Sequence, residues 1–125
     1  MAAIRVLVAD DSKIVRKAIR MFLEDRPEII LVGEAESLQE AASKSSELRP
    51  DVVVLDLHLA QDGVEPEQLK AALGGAYVAA ITFGADEAAK VLAEHIEAQT
   101  LLDRGDLSED LIPAILKLAP VLRPA

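Results

Sequence analysis

Pro50-Asp51-Val52-Val53-Val54-Leu55-Asp56 is the stretch on which the fold turns. Val52 to Leu55 are uninterrupted aliphatic residues that favour extended chain. Nothing polar alternates with them, so both faces of this strand are to be buried, as in a parallel sheet covered by helices on each side. Pro50 closes whatever precedes it, and the strand runs straight into a carboxylate at Asp56.

The same grammar extends in both directions. Residues 4–9 form a second short apolar run, broken only by Arg5 and followed by Asp10-Asp11. After Ser12, Ile14, Val15, Ala18, Ile19, Phe22 and Leu23 fall on one helical stripe that Pro27 ends. Residues 29–32 read as a strand. Ser37 and Glu40 have capping-box spacing and open a helix through Leu48. Beyond Asp56, residues 58–64 read as a loop, and a short helix starts near Pro66 and stops before Gly74-Gly75. Residues 77–81 form a fourth strand. A helix over 86–96 turns Ala88, Ala89, Leu92 and Ile96 inward, and residues 100–102 are a weak fifth strand. Ser108 is the expected cap of a last helix carrying Leu111, Ile112, Ile115 and Leu118. Pro113 predicts a kink or a later start for it. Five strands alternating with five helices specify an α/β unit with a parallel sheet and helices on both faces.

Composition narrows the functions open to such a unit. The 125 residues suit one domain, with residues 121–125 as a tail. Hydrophobic residues make up 51% and aromatic residues 2%, so the core is aliphatic. A formal charge of −9 argues against a nucleic-acid surface. The absence of cysteine excludes disulfides, thiolate metal sites and cysteine nucleophiles. No apolar run approaches the ~18–20 residues that span a bilayer, and the N-terminus does not have the pattern of a signal peptide, which makes the cytoplasm the expected location.

In open parallel sheets, ligands bind beyond the carboxyl ends of the strands. Those ends carry Asp10-Asp11, Asp56, Thr82 and Asp103-Arg104. An isolated aspartate there is most often a turn residue or a helix cap. Three carboxylates on one spot, however, repel one another unless a cation intervenes. A hard divalent ion such as Mg²⁺ suits oxygen ligands of this kind, and a carboxylate beside it can act as a nucleophile toward phosphorus. His58 and His95 read as a loop residue and a solvated helix residue.

The stretches at residues 4–12 and 49–57, with Val32-Gly33-Glu34-Ala35 and Thr82, resemble bacterial response-regulator receiver domains, particularly those of LuxR/NarL-type regulators. The resemblance is strong to about Gly63 and weaker beyond. It implies a flavodoxin-like, doubly wound five-stranded parallel sheet of order 2-1-3-4-5. It also implies that Asp56 is the phosphoacceptor, and that Mg²⁺ is held by Asp10, Asp11, Asp56 and the carbonyl of His58. Thr82 would be the switch hydroxyl, and a sensor histidine kinase or phosphotransfer protein the donor. A homodimer is compatible with the family. Such a domain is not an enzyme beyond assisting its own phosphorylation and dephosphorylation.

The second half departs from the pattern. Arg104-Gly105 stands where the family has Lys-Pro, and Phe83 where a small residue leaves access to the acceptor, so the ring is expected to narrow that access. Leu101 replaces the switch aromatic, and Leu59-Ala60 replaces Met-Pro. These departures keep open a second reading, a receiver-like module that binds partners without phosphorylation. A flavin carrier would need a phosphate-cradling loop after the first strand, where Asp10-Asp11 repels phosphate. A haloacid-dehalogenase-type phosphatase would need Asp-x-Asp at that turn.

Overall fold

The computed structural model describes residues 3–60, 64–84, 86–118 and 120. Five strands alternate with five helices: β1 (Ile4–Ala9), α1 (Lys13–Leu23), β2 (Ile29–Ala35), α2 (Leu38–Leu48), β3 (Val52–Asp56), α3 (Pro66–Ala72), β4 (Tyr77–Thr82), α4 (Glu87–His95), β5 (Thr100–Asp103) and α5 (Leu107–Leu116). Single 3₁₀ turns at Leu57–Ala60 and Arg104–Asp106 follow β3 and β5. The sheet is parallel throughout, in the order β2-β1-β3-β4-β5. The first of these turns takes up the start of the loop expected over 58–64, of which residues 61–63 lie outside the described residues, as does the expected tail at 121–125.

All five residues of β3 are buried, as its unbroken apolar run predicts. One face of the sheet packs Leu7, Val53 and Leu55 against Ala41, Leu69, Leu73, Ala93 and Ile96 of α2, α3 and the α4 end. The other packs Val6, Val8, Val54 and Ile81 against Ile19 and Leu23 of α1 and Leu111 and Ile115 of α5. Branched aliphatic residues alternate between these two layers along each strand, which is how a chain with so few aromatics fills its core. Among the described residues, no helix is long and apolar enough to cross a membrane.

Several expectations need correction. Ile14 stands at the edge of the α1 stripe and is 81% exposed. On α4 it is Ala93, not Ala88, that joins Ala89 in the core. β2 runs on to Ala35, because a register shift opposite Val6 and Leu7 lets Gly33 pair with Leu7 and keeps the strand on the sheet. Ser108 does not cap α5. The helix begins at Leu107, and Ser108 is exposed in its first turn. Nor does Pro113 delay the start of α5. The helix runs through it, with Pro113 on the exposed side where water can satisfy the carbonyl that its missing N–H leaves free.

Helices α3 and α4 end in the same way but with different residues. After α3, Gly74 N–H donates to Ala71 O and Gly75 N–H to Lys70 O, with Gly74 at φ 65°. After α4, Glu97 N–H donates to Glu94 O and Ala98 N–H to Ala93 O, with Glu97 at φ 58°. Both are Schellman closures, and the left-handed position disfavours any residue with a Cβ. Glu97→Gly should therefore raise unfolding stability by about 0.5–1 kcal/mol, measured by urea denaturation. A loss of stability would show that the Glu97 side chain contributes more than its backbone strain costs.

Candidate functional site

The register of the sheet assembles the site. Ala9 pairs with Leu55, so Asp10 and Asp56 emerge side by side from the adjacent strands β1 and β3. Asp56 pairs with Ile81 and Thr82 with Asp103, so Thr82 and Arg104 leave the sheet at the same end. With β1 flanked by β2 and β3, the order in which strands are added reverses between β1 and β3, and this is the crevice where α/β sheets bind ligands.

Asp10 is 0% exposed and Asp56 3%, while Asp11 is open to solvent. One carboxylate oxygen from each of the three lies within 4.8 Å of the others. Backbone donors hold two of them in place: Ser12 N–H donates to Asp10 Oδ1 (2.8 Å) and His58 N–H to Asp56 Oδ1 (3.0 Å). Ser12 also caps α1 through its hydroxyl, which accepts from Val15 N–H. The turn that positions Asp10 and Asp11 is thus tied to the start of the helix. Burial pushes the Asp10 carboxyl above its ordinary value, and the negative charge of Asp56 adds to the rise. The Ser12 N–H and the Arg104 charge act in the opposite direction.

Arg104 does not point to solvent. Its Nη2 donates to Asp10 Oδ1 (3.1 Å) and Oδ2 (3.0 Å) and to Asp56 Oδ2 (2.9 Å). A guanidinium keeps its charge at all accessible pH values, so these are charge-assisted contacts to two buried carboxylates. A cleft of about 660 Å³ opens beside it, lined by Asp11, Asp56, His58, Thr82, Phe83, Asp86, Leu92 and Arg104, among others. Phe83 forms part of the rim but is 86% exposed. A ring so open to solvent covers little, so the expected narrowing of access is not what the geometry provides. His58 is exposed, and Leu101 is partly buried against the α2–α3–α4 core layer.

Arg16 is a member of the site that the sequence reading passed over. It donates from Nη1 to the backbone oxygen of Asp10 (2.7 Å) and pairs through Nε with Glu34 on β2 (3.5 Å). Arg20 reaches the other oxygen of Glu34 (3.0 Å). Arg16 lies one helical turn past the Ser12 cap, facing back toward the end of β1. That placement was its available signal, and among the many charges of this chain it did not stand out.

The donor set suits a small hard cation. It consists of oxygens only, two of them on rigidly held buried carboxylates and one on an exposed carboxylate, and together they are close enough to share one ion.

Comparison with known proteins gives the arrangement its family. The family model described as "Response regulator receiver domain" matches residues 6–115. A protein-glutamate methylesterase/protein-glutamine glutaminase of Syntrophomonas wolfei is 45% identical over 62 residues, which is 49% of this chain and 18% of that protein. The chain therefore spans only a small part of such curated relatives. A two-component response regulator of the LuxR family from Aurantimonas has a similar structure at 28% identity, with TM-score 0.79 over 97% of this chain and 86% of that one. The receiver domain of the NarL regulator from Mycobacterium tuberculosis shares the fold over 100% of both chains, with TM-score 0.80 at 22% identity. With matched residues covering nearly the whole sheet and all the acidic strand ends, this chain belongs to the response regulator receiver domain family.

Proposed function

We propose that this receiver domain accepts a phosphoryl group on Asp56 from the phosphohistidine of a sensor histidine kinase or phosphotransfer protein. The observation that carries this reading is the convergence of Asp10, Asp11 and Asp56 at the switch point of the sheet, with one oxygen of each within 4.8 Å of the others. Asp10, Asp11, Asp56 and the carbonyl of His58 would hold Mg²⁺, which when bound neutralises charge on the transferring group.

The remaining work falls to the chain itself. The N–H of His58 holds Asp56 Oδ1, so Oδ2, once Arg104 moves off it, is the attacking oxygen. In the transfer, Asp56 forms an O–P bond as the P–N bond of the donor breaks, and the departing imidazole nitrogen keeps the electron pair. Thr82 and Arg104, both on the wall of the cleft, supply a hydroxyl and a cation to the phosphoryl oxygens. Leu101 stands where the family's switch aromatic stands, so the change that follows phosphorylation would pass through a partly buried aliphatic residue, and Phe83 stands where a small residue leaves access to the acceptor. The domain acts as substrate and assists its own modification. The cytoplasm is the fitting compartment, and any homodimer would form around this unit.

Incubation with acetyl phosphate and Mg²⁺, followed by intact mass, tests the reading. The wild-type chain should gain one phosphoryl mass, and Asp56→Asn should gain none. A wild-type chain that stays unmodified under conditions where a control receiver reacts would favour the phosphorylation-independent module instead.

A further inference from the structure

The contacts of Arg104 point beyond phosphate recognition. Its Nη2 lies 3.0 Å and 2.9 Å from oxygens of Asp10 and Asp56, the two buried members of the acidic cluster. Those carboxylates are the ones a divalent ion would need. A guanidinium cannot give them up by losing its proton, and a dication seated among the same oxygens would lie a few ångströms from it and repel it. The present position is not one in which every donor of Arg104 is satisfied, because its buried Nε has no hydrogen-bond partner. The cleft beside it, walled by Thr82, Gly84 and Asp86, offers room and a further carboxylate toward which the guanidinium can withdraw.

We infer that Arg104 is a resident counter-cation of the acidic cluster: it neutralises Asp10 and Asp56 in the metal-free protein, competes with Mg²⁺ for them, and so sets how weakly the ion binds. The inference rests on the reading that this cluster takes a divalent ion. It adds that the chain supplies a cation of its own, and that metal entry and withdrawal of Arg104 from Asp10 are one event. A compact ammonium at the same position would retain the competition in part, because it keeps the charge but on a shorter and more strongly hydrated head than the single Nη2 that now reaches both carboxylates.

Titration with MgCl₂, followed by calorimetry and by backbone NMR shifts of Asp10 and His58, tests this on wild type, Arg104→Gln and Arg104→Lys. Arg104→Gln should bind Mg²⁺ at least ~10-fold more tightly than wild type, since a ten-fold change corresponds to only ~1.4 kcal/mol, and Arg104→Lys should lie between them. In EDTA, Arg104→Gln should melt below wild type, and millimolar Mg²⁺ should raise its midpoint more than it raises that of wild type. Should the glutamine variant fold poorly, the side-chain Nε–H resonance of Arg104 in the wild-type protein gives the same information. It should shift along the same Mg²⁺ titration curve as Asp10. Equal or weaker Mg²⁺ affinity in Arg104→Gln, an Nε–H resonance indifferent to Mg²⁺, or no Mg²⁺ binding in either protein overturns the inference. Tighter Mg²⁺ binding in Arg104→Gln, in a wild-type chain that acetyl phosphate leaves unmodified, would uphold the inference while removing the phosphoacceptor reading. Phosphorylation of wild type with unchanged Mg²⁺ affinity in the variant would do the reverse.

Discussion

Asp10→Asn should make the metal-free protein more stable at neutral pH while lowering its Mg²⁺ affinity by at least ~10-fold, the loss that disturbing even an outer partner of a metal ligand brings. Asp10 is fully buried, and burial is the foremost reason that its carboxyl is raised above the ordinary value, with the charge of Asp56 adding to it. The sign follows from linkage. A folded-state pKa above the unfolded one means that the folded protein binds this proton more tightly. The protonated form therefore contributes stability that is complete below the unfolded value near 3.8 and disappears as pH rises through the folded value. Once pH has passed that folded value, the ionised Asp10 is a net cost to folding. Asparagine keeps the shape and keeps an oxygen for Ser12 N–H, and Arg104 retains Asp56 as a partner. The expected gain is about 1 kcal/mol, because asparagine removes a desolvated charge and its repulsion with Asp56 while Arg104 is not left without a partner. Urea denaturation in EDTA should show this gain at pH 7 and a much smaller one near pH 4. A less stable variant at pH 7 would mean that the Arg104–Asp10 pair outweighs the cost of burying the charge.

Leu7→Ala should cost about 3–5 kcal/mol, a large share of the ~5–15 kcal/mol that holds a domain of this size together. Leu7 is 0% exposed at the centre of β1, between Gly33 on β2 and Val53 on β3. The neighbouring strand cannot collapse into the cavity without breaking two ladders of hydrogen bonds. Gly33 gives the prediction a second arm. A Cβ built there would lie 2.8 Å from Leu48 Cδ1 and 3.2 Å from Leu7 Cδ1. Gly33→Ala alone should destabilise by about 1–3 kcal/mol through overpacking. In the Leu7→Ala background one of the two crowding atoms is gone and a cavity is open, so the same methyl should cost less or restore stability. Strict additivity of the two changes, measured as a double-mutant cycle by denaturation, would show that the two sites do not share a packing space.

Much of this molecule is legible from its residues one at a time. The unbroken aliphatic runs of β1 and β3 announce strands buried on both faces, and both are. Ser37 caps α2 through Glu40 N–H as its spacing predicts, although the Glu40 carboxylate turns back to Glu36 N–H rather than to the cap itself. The end of α3 is visible in Gly74-Gly75. The end of α4 is less so, because Glu97 adopts by closure of the helix a conformation its own preferences oppose. Pro113 misleads for a related reason. Propensity penalises it inside a helix, yet the cost depends on whether the freed carbonyl faces water, and that is settled by which side of α5 meets the sheet.

For the site, the sequence determined which side chains stand at the carboxyl ends of the strands. Asp10, Asp11, Asp56, Thr82 and Arg104 are there because apolar runs of fixed length end there, and a strand carries its last residue wherever the sheet carries the strand. What only the tertiary structure decided is which of these groups meet. The order β2-β1-β3-β4-β5 sets Asp10 beside Asp56, and the 3₁₀ turn after β5 brings Arg104, 94 residues from Asp10 along the chain, onto both carboxylates. Phe83 shows the converse. Its position in the chain suggests a ring over the acceptor, and the turn at Gly84 (φ 81°) leaves it in solvent. Pairings of this kind are Coulombic and steric. They depend on distances across strands, which arise from packing and register, and no local property of the residues encodes them.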